Sequence, residues 1–138
     1  MTRGAAAALA AATLGGCACP PAVVEALGDG EVLVDVCAPR VTGEAGLRRG
    51  LRGAAPLRDD EGLLLVLPTP RTVCIDNDGV TFPVDAVYAA DNGTIVAREL
   101  DIPAHDPLSR CHGGTRRILE VASGVAADVR VGDRLLAP

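Results

Sequence analysis

Short apolar segments alternate with polar turns along most of the chain, and several of these segments have a period of two residues. The clearest example is residues 31–38, where Val32, Val34 and Val36 occupy every second position. This period places the three valines on one face of a β-strand. A continuous apolar run at 63–67, bounded by a glycine and a proline, predicts a second strand that is buried.

Turn-forming residues divide the second half of the chain into further strands. Asn92-Gly93 lies between two apolar alternations, and this dipeptide is the strongest short signal for a hairpin. It therefore predicts that residues 87–90 pair with residues 94–99. Other apolar segments predict strands at 71–75, 80–89 and 117–121 and a last short strand after 131–133. Residues 101–116 have little periodicity and are predicted to form a long irregular loop.

Helix signals are few. Thr42 is a suitable N-cap, Glu44 lies in the first turn and arginines lie in the last, so a short helix is predicted over 43–50. Ser123 predicts a second helical turn. About seven strands against two short helices predict a mainly β domain, either a sandwich or an open barrel.

The N-terminal residues have the pattern of an export signal. Arg3 supplies a positive charge, and residues 4–13 form an alanine-rich apolar segment too short to span a bilayer. Leu14-Gly15-Gly16-Cys17 then resembles the lipobox of bacterial lipoprotein precursors. We expect a signal peptide at 1–16, lipidation of Cys17, a tether at 17–30 and one β-rich domain at 31–138. An ordinary cleaved signal and a chance cysteine after an alanine-rich start are the alternatives.

The cysteine count agrees with export. Besides Cys17 the chain has four cysteines, namely Cys19, Cys37, Cys74 and Cys111. An even number in an exported chain favours disulfides, and three pairings are possible. We favour Cys74–Cys111, because one residue follows a strand and the other lies in a loop that could cover it. Buried free thiols are the alternative.

The amino-acid composition argues against several classes of ligand. The only aromatic residues are Phe82 and Tyr88, which argues against an aromatic platform for sugars or nucleobases. The net charge is −5 and every cation is an arginine. The one basic cluster, at 48–58, is followed directly by the acidic residues 59–61, which is typical of a solvated mixed surface. No nucleic-acid partner is predicted.

The stretch from Cys74 to Asp85 places four polar turn formers between two apolar segments. Asp-Gly in this setting predicts a hairpin turn. A calcium loop would need an oxygen ligand where Cys74 stands, and no flanking helix pair is apparent. A tip that faces a ligand is a further alternative. The candidate binding residues are Asp76, Asn77, Asp78, Pro83 and Asp85.

Two other groups of residues suggest chemistry. Asp85 and Glu120 lie in predicted strands, and two carboxylates in one cleft can serve as general acid and base. An aspartate after a proline more often binds backbone amides at a bend. His105, Cys111 and His112 have metal-ligand side chains, but they lack the paired cysteine spacing of a zinc site. No phosphate-binding glycine loop is present, and no cofactor is predicted.

From Gly50 onward, several short motifs occur in a characteristic order. They are Gly50-Leu51, Leu57, Asp60-Glu61-Gly62, Leu64, Val66, Pro68, Pro83-Val84-Asp85, Asp91-Asn92-Gly93-Thr94-Ile95, Leu119-Glu120-Val121 and Val131-Gly132-Asp133. In these motifs residues 42–136 resemble the bacterial and archaeal family called domain of unknown function 192. The resemblance implies a mainly β, sandwich-like fold, frequent export and no established activity.

Departures from the family pattern limit what the resemblance implies. The family's F-W-M-K-N signature falls on residues 75–79, where this chain has an acidic turn instead of aromatic and basic side chains. Arg52 and Leu63 stand where the pattern has methionine. The side chains of that signature are absent here, so the resemblance transfers no family-wide site to this chain.

These patterns predict an exported, lipid-anchored module of the cell envelope, either periplasmic or on the outer surface. Its partners would be the membrane, through the lipid, and an unidentified ligand or protein. An envelope enzyme that uses Asp85 and Glu120 is the first alternative. A metal carrier that uses His105, Cys111 and His112 is the second.

Overall fold

A computed structural model describes residues 19–137 of the chain. These residues form eight strands and one short helix. In chain order the elements are β1 (Pro21–Glu25), β2 (Val32–Cys37), β3 (Arg40–Val41), α1 (Glu44–Arg49), β4 (Gly62–Ile75), β5 (Val84–Ala89), β6 (Ile95–Ile102), β7 (Arg110–Ala122) and β8 (Arg134–Leu136). The prediction of a mainly β domain is confirmed. No helix within 19–137 has the length and apolar character that a bilayer crossing requires.

The strands form two separate sheets. The smaller sheet has the order β2-β1-β8, and the larger sheet has the order β3-β4-β7-β5-β6. Neighbouring strands are antiparallel except for the short pair β3 and β4. Both sheets keep free edges, so neither closes into a barrel.

The two faces of the larger sheet carry separate apolar cores. One core joins the smaller sheet to the larger one, through Val24 and Val36 on one side and Leu119 and Val121 on the other. The opposite face carries Leu65, Ala86, Tyr88 and Ile118, which pack with Leu51 and Phe82 from the connecting segments. Successive strand residues point to opposite faces, so the alternation in β4, β5 and β7 supplies both cores.

The predicted tether at 17–30 is wrong for residues 21–25, which form β1. This strand lies at the centre of the smaller sheet, and Ala22 and Val24 are fully buried there. The strand begins at the second of two consecutive prolines, so only four residues remain and the apolar segment is too short for a reliable periodic signal. Tertiary pairing with β2 and β8 creates the strand.

The second helix is also absent from the described residues. Residues 123–128 instead form successive turns, in which the N–H of Val125 donates to Ala122 O at 3.1 Å and that of Ala127 to Gly124 O at 3.3 Å. The predicted loop at 101–116 is shorter than expected, since β7 begins at Arg110. Adjacent glycines at 113 and 114 obscured this strand, whose first half pairs with the far end of β4.

The hairpin predicted for residues 76–79 is wrong, because β4 and β5 are not neighbours. Strand β7 lies between them, so the segment after Ile75 crosses from one strand to a more distant one. The hairpin at Asn92-Gly93 is confirmed: β5 pairs with β6, and Gly93 has φ +91°. A Cβ at Gly93 would lie 2.6 Å from Leu135 O, so glycine also permits the close approach of β8.

Asp85 anchors the β5–β6 hairpin to the turns at 123–128. Its Oδ1 accepts the N–H of Asp101 at 2.8 Å, and its Oδ2 accepts those of Gly124 at 2.9 Å and Ala126 at 3.0 Å. The side chain is buried, and these three amides satisfy both oxygens. Asp101 itself has φ +55°, a conformation that aspartate tolerates better than most residues.

We expect Asp85→Ala to lower the free energy of unfolding by roughly 3–5 kcal/mol, because three amide donors lose their acceptor. Urea denaturation followed by circular dichroism measures the change. Asp78→Ala is the control, since Asp78 is exposed and should change stability by less than about 0.5 kcal/mol. Equal effects of the two substitutions would contradict the anchoring role.

Candidate functional site

The strand register separates the two carboxylates that were predicted to work together. Asp85 pairs with Val121, and Ala86 pairs with Glu120. Because adjacent residues of a strand point to opposite faces, Asp85 and Glu120 lie on opposite faces of the larger sheet. The two residues therefore do not share a cleft, which corrects the expected acid–base pair.

Glu120 opens instead onto a cleft of about 610 Å³, which we call the Glu120 cleft. Its walls come from α1 and the segment that follows it, from β4 and from the crossing segment after β4. The lining residues are Ala45, Leu47, Arg48, Arg49, Gly50, Leu51, Arg52, Leu65, Cys74, Ile75, Asp76, Val80 and Glu120. Apolar side chains form much of the interior, while arginines lie at one rim.

The carboxyl group of Glu120 is the unusual feature of this cleft. The residue is 5% exposed, and its Oε1 is the one buried side-chain polar atom of residues 19–137 that has no hydrogen-bond partner. Burial raises the pKa of Glu120 to about 7; the positive charge of Arg52 lowers it and the negative charge of Asp76 raises it. The group is therefore close to half-protonated at neutral pH.

Gly50 shapes the cleft wall beside this carboxyl. It ends α1 with φ +52° and ψ −126°, a conformation that glycine adopts far more readily than other residues. A Cβ at this position would lie 3.7 Å from Oε1 of Glu120. The glycine thus lets the chain turn away from the helix directly next to the buried carboxyl.

An ion pair between Arg52 and Asp76 joins two walls of the cleft. The same guanidinium donates to Arg48 O at 2.8 Å, near the C-terminal end of α1. A cation at this end of a helix satisfies free carbonyls and interacts well with the helix dipole. The N–H of Asp78 donates to the same Oδ1 of Asp76 at 2.9 Å and so helps to fix the carboxylate.

The other predicted binding residues lie outside the cleft lining. Asn77 is buried, and its amide group donates to Phe82 O at 3.1 Å and Pro103 O at 2.8 Å, so it holds the crossing segment in place. Asp78 and Pro83 are exposed. Of the five candidates, only Asp76 lines the cleft.

Residues 45–52 were not predicted to belong to a site. Their arginines indicated a solvated surface, and nothing in the local sequence places them beside β7. One signal was available, because Gly50-Leu51 and the segment around Glu120 both matched the same family pattern. Two matching motifs about 70 residues apart along the chain are consistent with a shared location, but they do not establish one.

The structure disperses the predicted metal ligands. Cys111 is joined to Cys74 in a disulfide, so its thiolate is not available, and Cys19 is joined to Cys37. His112 Nε2 lies 2.7 Å from Glu99 Oε2, whereas His105 is exposed in a loop. Within residues 19–137 no three His, Cys, Asp or Glu side chains come together in a possible metal site. The predicted lipidation site, Cys17, and signal peptide lie outside the described residues.

Comparisons with known proteins identify a family and a fold. The family model DUF192, described as an uncharacterized ACR, matches residues 30–137. No curated protein matches this sequence.

Two crystal structures resemble this fold. One is a protein of unknown function from Novosphingobium aromaticivorans DSM 12444, with 19% identity and a TM-score of 0.77 over 84% of this chain and 83% of that one. The other is from Sinorhizobium meliloti 1021 and is provisionally called a transcription regulator. It has 20% identity and a TM-score of 0.80 over 86% of this chain and 92% of that one. At these identities the likeness shows the fold alone.

Two departures from the family pattern contact each other in the cleft. Arg52 stands where the pattern has methionine, and Asp76 stands where the F-W-M-K-N signature has tryptophan. In this chain the two residues form the ion pair that joins the cleft walls. The two side chains that depart from the family pattern therefore carry opposite charges and pair with each other.

We expect Glu120→Gln to remove a pH-dependent loss of stability. The folded-state pKa is raised from 4.5 to about 7, so the folded protein binds more protons than the unfolded chain between these values, and stability falls as pH rises through this window. The stability of the variant relative to the native chain should therefore improve by roughly 3 kcal/mol from pH 4 to pH 8.

Denaturant unfolding of both chains at several pH values measures this difference. Glu44→Gln is the control, because Glu44 is highly exposed and the same comparison should change little with pH. A constant difference between the Glu120→Gln variant and the native chain across this range would contradict the buried titrating carboxyl.

Proposed function

This chain belongs to the DUF192 family, and we propose that it is an exported, lipid-anchored, sandwich-like module that binds a small ligand in the Glu120 cleft. The observation that carries the proposal is the unpaired Oε1 of Glu120. A buried polar atom without a hydrogen bond is unfavourable by about 1–3 kcal/mol. A ligand that supplies the missing bond would regain this free energy, which supports a binding role.

The form of the cleft supports the same role. Ligand sites are concave and mostly apolar, with a few converging polar groups, and their volumes are typically 300–1,000 Å³. The Glu120 cleft has about 610 Å³, apolar walls from residues such as Leu51 and Leu65, and polar groups at its base and rim.

An enzymatic role is the second candidate, and Glu120 alone favours it. A carboxyl group with a pKa of about 7 can both donate and accept a proton at neutral pH. Asp85 does not support this role, because it accepts three backbone hydrogen bonds on the opposite face of the sheet. The metal-carrier alternative loses support because Cys111 is in a disulfide.

Two features support export. The N-terminal sequence has the order of charge, apolar segment and lipobox that lipoprotein precursors share. In addition, the described domain has two disulfides, and disulfides persist mainly in oxidising compartments outside the cytosol.

We expect Ala45→Trp to reduce the amount of bound ligand by about tenfold or more, because the larger side chain would fill the cleft. Ala45 is exposed on α1 and lines the cleft, so the substitution leaves the core intact. Small molecules released from natively purified protein are quantified by mass spectrometry. Ala55→Trp is the control, since this exposed residue lies outside the cleft lining. If the native protein releases no small molecule, the binding role is wrong.

We expect Cys17→Ser to abolish lipidation and release the protein from the membrane fraction. The intact mass of the native chain should show cleavage before Cys17 and added acyl groups, because two or more acyl chains give stable anchoring. Cys19→Ser is the control and should remain lipidated. A chain that retains Met1 and has no added mass would exclude both export and lipidation.

A further inference from the structure

We infer that the Glu120 cleft selects a small organic anion with an apolar body, such as a medium-chain carboxylate. The anionic group would lie between Glu120 and the arginines of the rim, while the apolar body would pack against the cleft walls. This inference rests on the binding role proposed above and adds the chemical class of the ligand.

The charge at the rim favours an anion. Arg48 has one acidic partner, Glu44 at 3.9 Å, and both side chains are more than three-quarters exposed, so this pair is weak. Arg49 donates its Nε–H only to Arg52 O, at 3.4 Å. Arg52 is already neutralised by Asp76. Among the described residues, Arg49 therefore has no carboxylate partner and Arg48 has only a weak, exposed one.

This positive rim is a local exception in an acidic chain. The net charge of the sequence is −5, yet the cleft has three arginines against Asp76 and a carboxyl group that is partly neutral. Charges of one sign around a concave, low-dielectric surface raise the local concentration of the opposite ion. A cationic ligand would meet repulsion at the same rim.

Glu120 is suited to an anion when it is protonated. Its hydroxyl can then donate to a carboxylate oxygen, and a hydrogen bond to a charged acceptor is stronger than a neutral one. The charged groups that act on Glu120 are Arg52 and Asp76 from the connecting segments. Arg48 and Arg49 of α1 line the same cleft. Tyr88 on β5 also interacts electrostatically with Glu120. A bound anion would add negative charge and hold the proton more firmly.

The apolar side chains of the cleft lining indicate the chemical character of the rest of the ligand. Leu47, Leu51, Leu65, Ile75 and Val80 supply an aliphatic surface, and no aromatic side chain is present in the lining. Such a surface favours a flexible apolar body over a flat ring that needs stacking. A second cavity of about 530 Å³ lies beside β8. Among the described residues it has no unpaired buried polar atom, so its lining does not indicate a class of ligand.

Calorimetric titration of the full chain with hexanoate, hexylamine and inorganic phosphate tests the inference. We expect hexanoate to bind, and its affinity to fall by up to about tenfold per pH unit above pH 7, because binding takes up one proton. Hexanoate itself is ionised throughout the range from pH 6 to 8. Phosphate should bind more weakly since it has no apolar body, and hexylamine should not bind.

Substitutions of Glu120 and of the rim arginines separate their contributions to hexanoate binding. Glu120→Gln should keep hexanoate binding but lose its pH dependence between pH 6 and 8, because the amide donates a hydrogen bond at every pH in this range. The double substitution Arg48→Gln and Arg49→Gln should weaken binding about tenfold or more. Arg58→Gln is the matched control and should leave the affinity unchanged, since Arg58 pairs with Asp60 outside the cleft lining.

The outcomes distinguish this inference from the binding role. If hexylamine binds, the anion class is wrong and the binding role stands. The same conclusion follows if native protein releases a cationic or neutral molecule that the Ala45→Trp variant does not retain. Failure of all three probes, together with no released ligand, would overturn both. Unchanged pH dependence in Glu120→Gln would overturn the proton-linked contact.

Discussion

The antiparallel pairing of β4 with β7 is the constraint on which the rest of the structure depends. These are the two longest strands, and they lie side by side within the larger sheet. Their register directs Leu119 towards the core shared with the smaller sheet and Glu120 towards the opposite face. Near its far end, the same pairing places Cys74 opposite Cys111, where the two form a disulfide. One ladder therefore supports both cores and positions the cleft.

The cleft exists because the second face of the larger sheet is covered by connecting segments rather than by another sheet. Helix α1, the turn after it and the crossing segment after β4 leave a concave space over Glu120. The Arg52–Asp76 ion pair joins two of these segments above a carboxyl that neither of them satisfies. The arrangement keeps a titratable group in an apolar setting, and such perturbed groups are common at functional sites.

The two carboxylates that stood out in the sequence show how similar patterns lead to different roles. Both Asp85 and Glu120 are buried in strands of the larger sheet. Asp85 meets three free amide groups on its face and is fully satisfied, whereas Glu120 meets leucines, a glycine and an ion pair. The environment of each side chain comes from segments distant in sequence, so neither role could be assigned from neighbouring residues alone.

Local patterns determined the mainly β class, the strands with clear alternation, the short helix at 44–49 and the hairpin at Asn92-Gly93. These features depend on side-chain period, on the charges at the helix ends and on turn chemistry within a few residues, although the helix has Gly43 as its N-cap and lacks the side-chain cap predicted for Thr42. A turn does lie at 78–79, but the hairpin predicted there is wrong, because composition does not indicate which strand the segment leads to. Tertiary structure alone decided that β7 separates β4 from β5, that residues 21–25 form a central strand, and that Arg52, Asp76 and Glu120 share one cleft. These features depend on which strands pair over long sequence separations, and in a single sequence the short-range periodicity carries no such information.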